Sequence, residues 1–336
     1  LLLVRRRIER CYETLLARQA AVTPALVREM YFGNDRQQET LLAFFRQHNE
    51  EFGRMVGVSR SKSSYYKYRS VYRLLAAYVR ERCRRADIPF RELDKRFLAG
   101  FHQYIARESP HKKNTAWVYM IAFKHILMLA RSRDLLSADL FAGYRLRSEF
   151  VARDYLTETE IRRLMLLAPT DRTQRLVLDA FLFSCFTGLS YLDVRQLKPA
   201  NIRYTQGQLW IGTTRRKTGS EVYVRLFAVP NAILSRYLTD AADEPIFALP
   251  SNGWCNACLR RLLPEAGIVR PVTFHVARHT FATTITLSQG VAIETISKLL
   301  GHRNIRTTQI YAAVTHAKLE GDMERLSRQL DACYRL

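Results

Sequence analysis

From residue 38 to residue 133 the apolar positions recur every three or four residues, the period of helices that bury one face. Four helices are expected, over 38–52, 62–86, 94–108 and 112–133, with breaks at Gly53, Gly57, Pro89 and Pro110. In the second, Tyr68, Val71, Tyr72, Leu75 and Val79 make a stripe for burial, while Arg69, Arg73, Arg80 and Arg84 lie elsewhere on the helix. In the fourth, Trp117, Ile121 and Met128 supply apolar positions and Lys113, Lys124 and Arg131 cluster on another face. Upstream, residues 1–33 hold a basic helical patch from Arg5 to Arg10, then Pro24 and a Gly33-Asn34 break. The chain begins without Met, and the expectation is that 1–33 is an extension left from an upstream module.

The period is lost over 141–154, which is expected to be a linker between a helical domain, 34–140, and a second domain, 155–336. There Thr157 and Glu160 have the spacing of a capping box, and 175–186 is apolar on nearly all sides except at Asp179, as a buried helix would be. Strands are expected over 202–204, 208–217 and 221–227, with Gln206-Gly207 and Thr218-Gly219 as turns. Helices follow over 231–238, 254–266, 275–287 and 292–300, the last two closed by Gly290 and Gly301. In the tail, Leu319, Met323, Leu326 and Leu330 recur at helical steps and need a surface to cover, in cis or on a neighbouring copy. The fold class is therefore mainly α with a small antiparallel β-sheet in the second, α+β domain.

Charge narrows the partner. The 336 residues carry a formal net charge of +22 and a pI near 10.1. The excess is +14 in residues 1–150 and +8 in 151–336, so both halves suit a polyanion, nucleic acid first. Candidate contacts on the helical domain are Lys62, Lys67, Arg69, Arg73, Lys112, Lys113, Asn114 and Lys124. No apolar run is long enough to span a bilayer, so no membrane role is expected. The six cysteines are scattered apart from Cys255-x-x-Cys258, which reads as packing rather than a metal site, and a reducing cytosol is expected.

The chemistry concentrates between Thr273 and Tyr311. His275 and Arg278 are three residues apart and share a helix face; His302 follows at a helix end, and Tyr311 lies nine residues beyond it. No carboxylate pair or cysteine cluster accompanies them, so the set suits an anion rather than a metal. An arginine fork matches two phosphate oxygens, imidazoles donate or move protons, and a phenol beside them can attack phosphorus. His279 and His316 are read as packing or surface residues.

His275-x-x-Arg278, then Leu300-Gly301-His302, then Tyr311, resembles the signature of tyrosine recombinases, the phage integrase family. In detail the chain looks like the integrases of conjugative transposons and related bacterial mobile elements, over roughly residues 36–320. The resemblance implies a core-type DNA-binding bundle followed by a catalytic domain, and site-specific DNA recombination in a bacterial cytoplasm. Tyr311 would form a 3′-phosphotyrosyl link, with Arg278 and His302 on the phosphate, His275 assisting, and Lys217 protonating the leaving oxygen. Neither metal nor other cofactor is implied. The partners implied are double-stranded recombination sites, a homotetramer on a Holliday junction with exchange of the C-terminal helix, and accessory DNA-bending factors.

One position departs from the pattern. After Thr187-Gly188-Leu189 the family places an arginine, and this chain has Ser190, which cannot supply a guanidinium's charge or bidentate grip; Asp193 matches the family's acidic position. Strand alternation puts Arg215 on the face shared with Lys217, making Arg215 the candidate substitute, with contact to flanking phosphates as its other reading. DNA relaxation of the type IB topoisomerase kind, and a DNA-binding protein that has lost catalysis through Ser190, remain the alternative functions.

Overall fold

The computed structural model describes residues 2–17, 22–31, 40–108, 113–149, 153–215, 219–239, 241–311 and 316–334. The chain divides into two units, Leu1–Phe150 and Val151–Leu336. Lys112, Arg216, Lys217 and Thr218 lie outside the described residues.

Among the described residues the regular elements of the first unit are helices: α1 (Leu2–Ala17), α2 (Pro24–Tyr31), α3 (Leu41–Arg54), α4 (Lys62–Glu81), α5 (Lys95–Glu108) and α6 (Lys113–Ser132), with a 3-10 turn at Phe90–Glu92. Phe45, Leu75, Leu98, Phe101 and Phe123 are fully buried at its centre, with the Phe101 and Phe123 rings edge to face at 5.1 Å. Ser61 caps α4, but the Thr40 side chain does not cap α3. Asp87 replaces it from across the unit, its carboxylate accepting from the Leu42 and Ala43 amides at 2.8 and 3.1 Å. The anion at that helix start is stabilised by the free amides and the helix dipole together. Helix α4 ends at Glu81, earlier than expected, and Arg84 turns through φ +54° on the way to Asp87.

Two expectations are corrected here. On α6, Ile121 is 42% exposed and Met128 58%, while Met120, Phe123, Ile126 and Leu127 face the core. The helix is apolar around most of its circumference, so periodicity alone could not choose the buried face; the aromatic packing of Phe123 does. The stretch taken as linker also begins too early. Phe141 is buried, Tyr144 hydrogen-bonds His102 Nδ1 at 2.8 Å, and Asn114 exchanges two hydrogen bonds with the Glu149 backbone. Residues 141–149 thus belong to the first unit.

In the second unit α7 (Glu158–Met165) leads to α8 (Arg172–Thr187), whose residues Val177 to Cys185 are all buried. Buried Asp179 accepts from Tyr237 Oη at 2.8 Å and from Arg236 Nη1 at 3.2 Å. After α9 (Tyr191–Arg195) come β1 (Ile202–Thr205), β2 (Gln208–Thr214) and β3 (Glu221–Arg225), an antiparallel sheet in that order. Gln206 and Gly207 both have positive φ, the backbone of a tight hairpin turn. Ile211 pairs with Ile202 and Val224 and is buried. Helices α10 (Ala228–Ser235) and α11 (Asn252–Leu262) complete this core, which includes both Cys255 and Cys258.

The helix expected over 275–287 changes pitch. α12 (Phe274–Thr280) passes into a π-helical stretch, Phe281–Thr286, then a 3-10 turn, Leu287–Gln289, closed by Gly290 at φ +82°. Thr286 donates its hydroxyl to the Phe281 and Ala282 carbonyls within this wide turn. α13 (Ile293–Leu299), α14 (Arg306–Gln309) and α15 (His316–Cys333) follow. On α15, Met323, Leu326 and Leu330 are exposed.

Glu160 makes the capping box with Thr157 and is also gripped by both Arg270 Nη groups. Arg270 above all, with the Thr157 amide and hydroxyl, holds the carboxyl at about 2 against an ordinary 4.5, despite partial burial. Because the folded value is depressed, the stabilisation is complete above 4.5 and drains away as pH falls towards 2. Glu160→Gln is expected to destabilise by about 2 kcal/mol at neutral pH. The gap from wild type in urea unfolding should close progressively below pH 4.5; a gap unchanged down to pH 2 refutes the assignment.

Candidate active site

The turn after α8 shapes one wall. Gly188 sits at φ +70° as the α8 cap, and a Cβ there would lie 2.5 Å from the Phe281 ring. Its carbonyl accepts from Arg278 Nη1 at 2.7 Å. Ser190, two residues on, gives both its amide (3.1 Å) and its hydroxyl (2.7 Å) to Asp193 Oδ2, fixing the start of α9. The same Oδ2 receives Arg215 Nη2 at 3.1 Å.

Two guanidiniums then meet at one carbonyl. Arg215 Nη1 and Arg278 Nη2 both donate to the Leu300 oxygen, the latter at 2.6 Å. Gly301 follows at φ +61°, where a Cβ would stand 2.6 Å from Arg215 Cδ and 2.7 Å from Val222. Only glycine lets the backbone turn this way with the arginine lying across it. Arg215, on the β2–β3 connection, is fixed in turn by backbone bonds of 2.8 Å to Ser220 and Gly219.

His302 accepts from Arg278 Nη2 at Nε2, 2.9 Å, since a guanidinium can only donate. Its Nδ1 lies 2.8 Å from Thr308 Oγ1, to which the neutral ring donates. Burial first, then Arg278 and Arg215, brings this imidazole down to about 4. Burial, helped by Arg215, lowers Arg278 to about 9, which leaves it cationic at neutral pH.

Tyr311 is buried with its ring 6.5 Å from His302, nearly parallel, and 5.1 Å from His279. Burial raises its phenol, while Arg278, Arg153 and Arg215 pull it back. His279 is itself buried, edge-on to His275 at 4.6 Å, and burial above all lowers it to about 3. Among the described residues, His279 Nδ1 is the buried side-chain polar atom without a hydrogen-bond partner.

The cleft enclosed by these groups measures about 510 Å³. It brings together His275, Arg278, His302, Tyr311 and Arg215, which the sequence singled out, and adds Arg153 and His279, which it did not. Arg153 offers no motif; His279, one turn after His275, is read from the sequence as packing, and it is buried in the cleft wall. Lys217 cannot be placed, lying outside the described residues. Among the described residues no group of three or more His, Cys, Asp or Glu side chains converges as for a metal.

The residues expected to touch nucleic acid are less uniform. Lys62, Arg69 and Arg73 are exposed on α4, where Tyr66, Arg69, Arg73 and Arg80 line a shallow groove. Lys67 Nζ lies 5.0 Å over the Tyr68 ring and Lys124 Nζ 5.5 Å from that of Phe141. The Asn114 amide is already engaged by Glu149, as described above. Lys112 and the side chain of Lys113 lie outside the described residues. No helix among the described residues is long and apolar enough to cross a membrane.

Comparison with known proteins agrees with this geometry. The Phage integrase family profile matches residues 154–318, and the Phage integrase SAM-like domain profile matches 40–146. Tyrosine recombinase XerA of Pyrococcus furiosus is 31% identical over 185 residues, 51% of this chain and 60% of the relative. Tyrosine recombinase XerD of Listeria innocua is 44% identical over 149 residues, 40% and 48% of the two chains. The chain spans about six tenths of the length of the first curated relatives it matches. In fold it is similar to a lambda integrase dimer bound to a COC′ core site (TM-score 0.64, 16% identity, 81% of this chain and 95% of that one). It is also similar to the Tn1549 transposon integrase in complex with transposon right end DNA (TM-score 0.63, 14% identity, 86% and 100%). With both units matched and a buried tyrosine set against Arg278 and His302, the chain belongs to the phage integrase family of tyrosine recombinases.

Proposed function

We propose that this protein is a site-specific DNA recombinase of a mobile element, cutting and rejoining DNA through Tyr311. The observation that carries the reading is the placement of Tyr311 in a cleft where Arg278 and Arg215 converge on the Leu300 carbonyl. The phenolic oxygen attacks phosphorus, the bond to the 5′-oxygen breaks, and a 3′-phosphotyrosyl link keeps the energy for rejoining. Arg278, Arg215 and His302 hold the non-bridging oxygens and meet the charge that develops on the phosphorane. His275, at the cleft rim, assists in moving protons, and Lys217 gives one to the departing 5′-oxygen.

Arg215 takes over the charge that Ser190 cannot provide. Its support is the Asp193 ion pair: the acidic side chain that caps α9 through Ser190 also aims Arg215 at the cleft. In this reading 34–149 is the core-type DNA-binding domain and the second unit, from Arg153 on, the catalytic domain. Lys62, Lys67, Arg69, Arg73, Lys112, Lys113, Asn114 and Lys124 lie near the duplex, mostly on phosphates. Four copies assemble on the Holliday junction, with the exposed Met323, Leu326 and Leu330 face of α15 docking on a neighbour and accessory factors bending the DNA. The protein works in the cytoplasm, on chromosomal and element DNA.

The test begins in cells, by sequencing DNA covalently joined to the protein to recover its site. On a nicked duplex of that site, which traps cleavage, wild type is expected to give an adduct that survives denaturant, and Tyr311→Phe none. No wild-type adduct, with binding retained, points to a DNA-binding protein; relaxation of plasmids lacking the site points to a topoisomerase.

A further inference from the structure

Among the described residues, the two central guanidiniums near Tyr311 are not equally free to meet an anion. Asp193 cancels one of the two central guanidiniums through its 3.1 Å pair with Arg215, leaving Arg278 as the uncompensated cation of that group. His302, brought down to about 4, and His279, at about 3, are neutral. A phosphodiester carries one negative charge and the phosphorane formed from it carries two, so a further unpaired cation on the cleft stabilises the transition state more than the ground state. Among the described residues lining the cleft, Arg153 fits.

Its location is fixed by the fold. Three residues on, Leu156 is fully buried, its amide accepted by Thr280 Oγ1 at 2.9 Å and its carbonyl receiving the Thr284 hydroxyl. These two bonds tie the segment to α12 and the π-helical turn that follows, the same element that carries Arg278. The Arg153 side chain is exposed, and among the described residues no carboxylate pairs with it. Arg215, Arg236 and Arg270, by contrast, are committed to Asp193, Asp179 and Glu160. Its charge reaches both Tyr311 and His279, lowering each.

We propose that Arg153 is a further catalytic residue, a phosphate contact on the cleft of Tyr311 that adds to Arg278 and Arg215 a positive charge with no carboxylate partner among the described residues. The proposal rests on the recombinase reading for its substrate, though not for its anion. The guanidinium lines the cleft with no carboxylate partner among the described residues, so its charge is available to an incoming anion. It acts on the nucleophile as well, in concert with Arg278 and Arg215 and against the burial of Tyr311 between His279 and His302.

Two probes separate the claims. Inorganic vanadate, a tetrahedral oxyanion that also takes five-coordinate geometry, is titrated into the free full chain, and single-turnover cleavage of the nicked duplex is followed from pH 6 to 9. Arg153→Ala is expected to weaken vanadate about tenfold and slow adduct formation about 10- to 100-fold. Removing the cation lets the Tyr311 phenol rise, so the alkaline limb of the pH-rate profile moves to higher pH. Arg153→Lys keeps the charge and should hold the limb near its wild-type position. Slower cleavage by Arg153→Ala with unchanged vanadate affinity and pH profile marks an indirect role and overturns the proposal, as does wild-type behaviour throughout. If wild type itself forms no adduct while vanadate binding still depends on Arg153, the recombinase reading fails and the anion contact stands.

Discussion

Arg215→Ala slows covalent adduct formation by about 100- to 1,000-fold with little change in DNA affinity, the loss expected when one preorganised donor leaves a developing phosphorane. The guanidinium is buried, its direction set by Asp193 at 3.1 Å and by the Leu300 carbonyl, so little rearrangement is needed on DNA binding. Arg215→Lys recovers only part of the rate, because an ammonium cannot reach Asp193, Leu300 and a phosphate oxygen from one plane. Removing the side chain also strands the Asp193 carboxylate, although Ser190 still donates to it twice. Thermal unfolding of the variant must therefore be measured beside cleavage. A stable variant that cleaves at nearly the wild-type rate reduces Arg215 to a contact with flanking DNA.

Gly301→Ala is expected to come close to the same loss without touching a charged group. A side chain at φ +61° costs roughly 1 kcal/mol in backbone energy. The larger effect is steric: the new methyl would fall 2.6 Å from Arg215 Cδ and 2.7 Å from Val222 Cγ2, so either the arginine or the turn before His302 must shift. Small displacements of a catalytic group are costly, and a drop in cleavage of about 100-fold is expected. The double variant with Arg215→Ala discriminates the cause. If Gly301 acts through Arg215, the double variant cleaves no more slowly than Arg215→Ala alone; losses that multiply show that the turn positions something else.

The order of the chain made much of this site legible. His275, Arg278, Leu300-Gly301-His302 and Tyr311 are close enough in sequence, and regular enough in spacing, to be read as one group. The capping box at Thr157 and Glu160 and the turn at Gln206-Gly207 are local chemistry and appear where their residue types place them. Arg215 is read from alternation on a face shared with Lys217, but β2 ends at Thr214 and Lys217 lies outside the described residues; the Asp193 pair and the Leu300 carbonyl hold Arg215 at the cleft.

What the sequence determined by itself, then, was the helical and strand content, the basic character of both halves, and the membership of most of the cleft. These depend on short-range periodicity, composition and motif spacing. Tertiary structure decided the rest. It chose the Phe123 face of α6 over Ile121 and Met128, brought Asp87 to cap α3, and turned the helix after Arg278 into a π-helical stretch. It also joined Asp193 and Arg215 and set Arg153 on the cleft that holds Tyr311. The Asp87 cap and the Asp193–Arg215 pair link residues far apart in the chain, where no period or motif operates and only the packing of the finished core selects the partner.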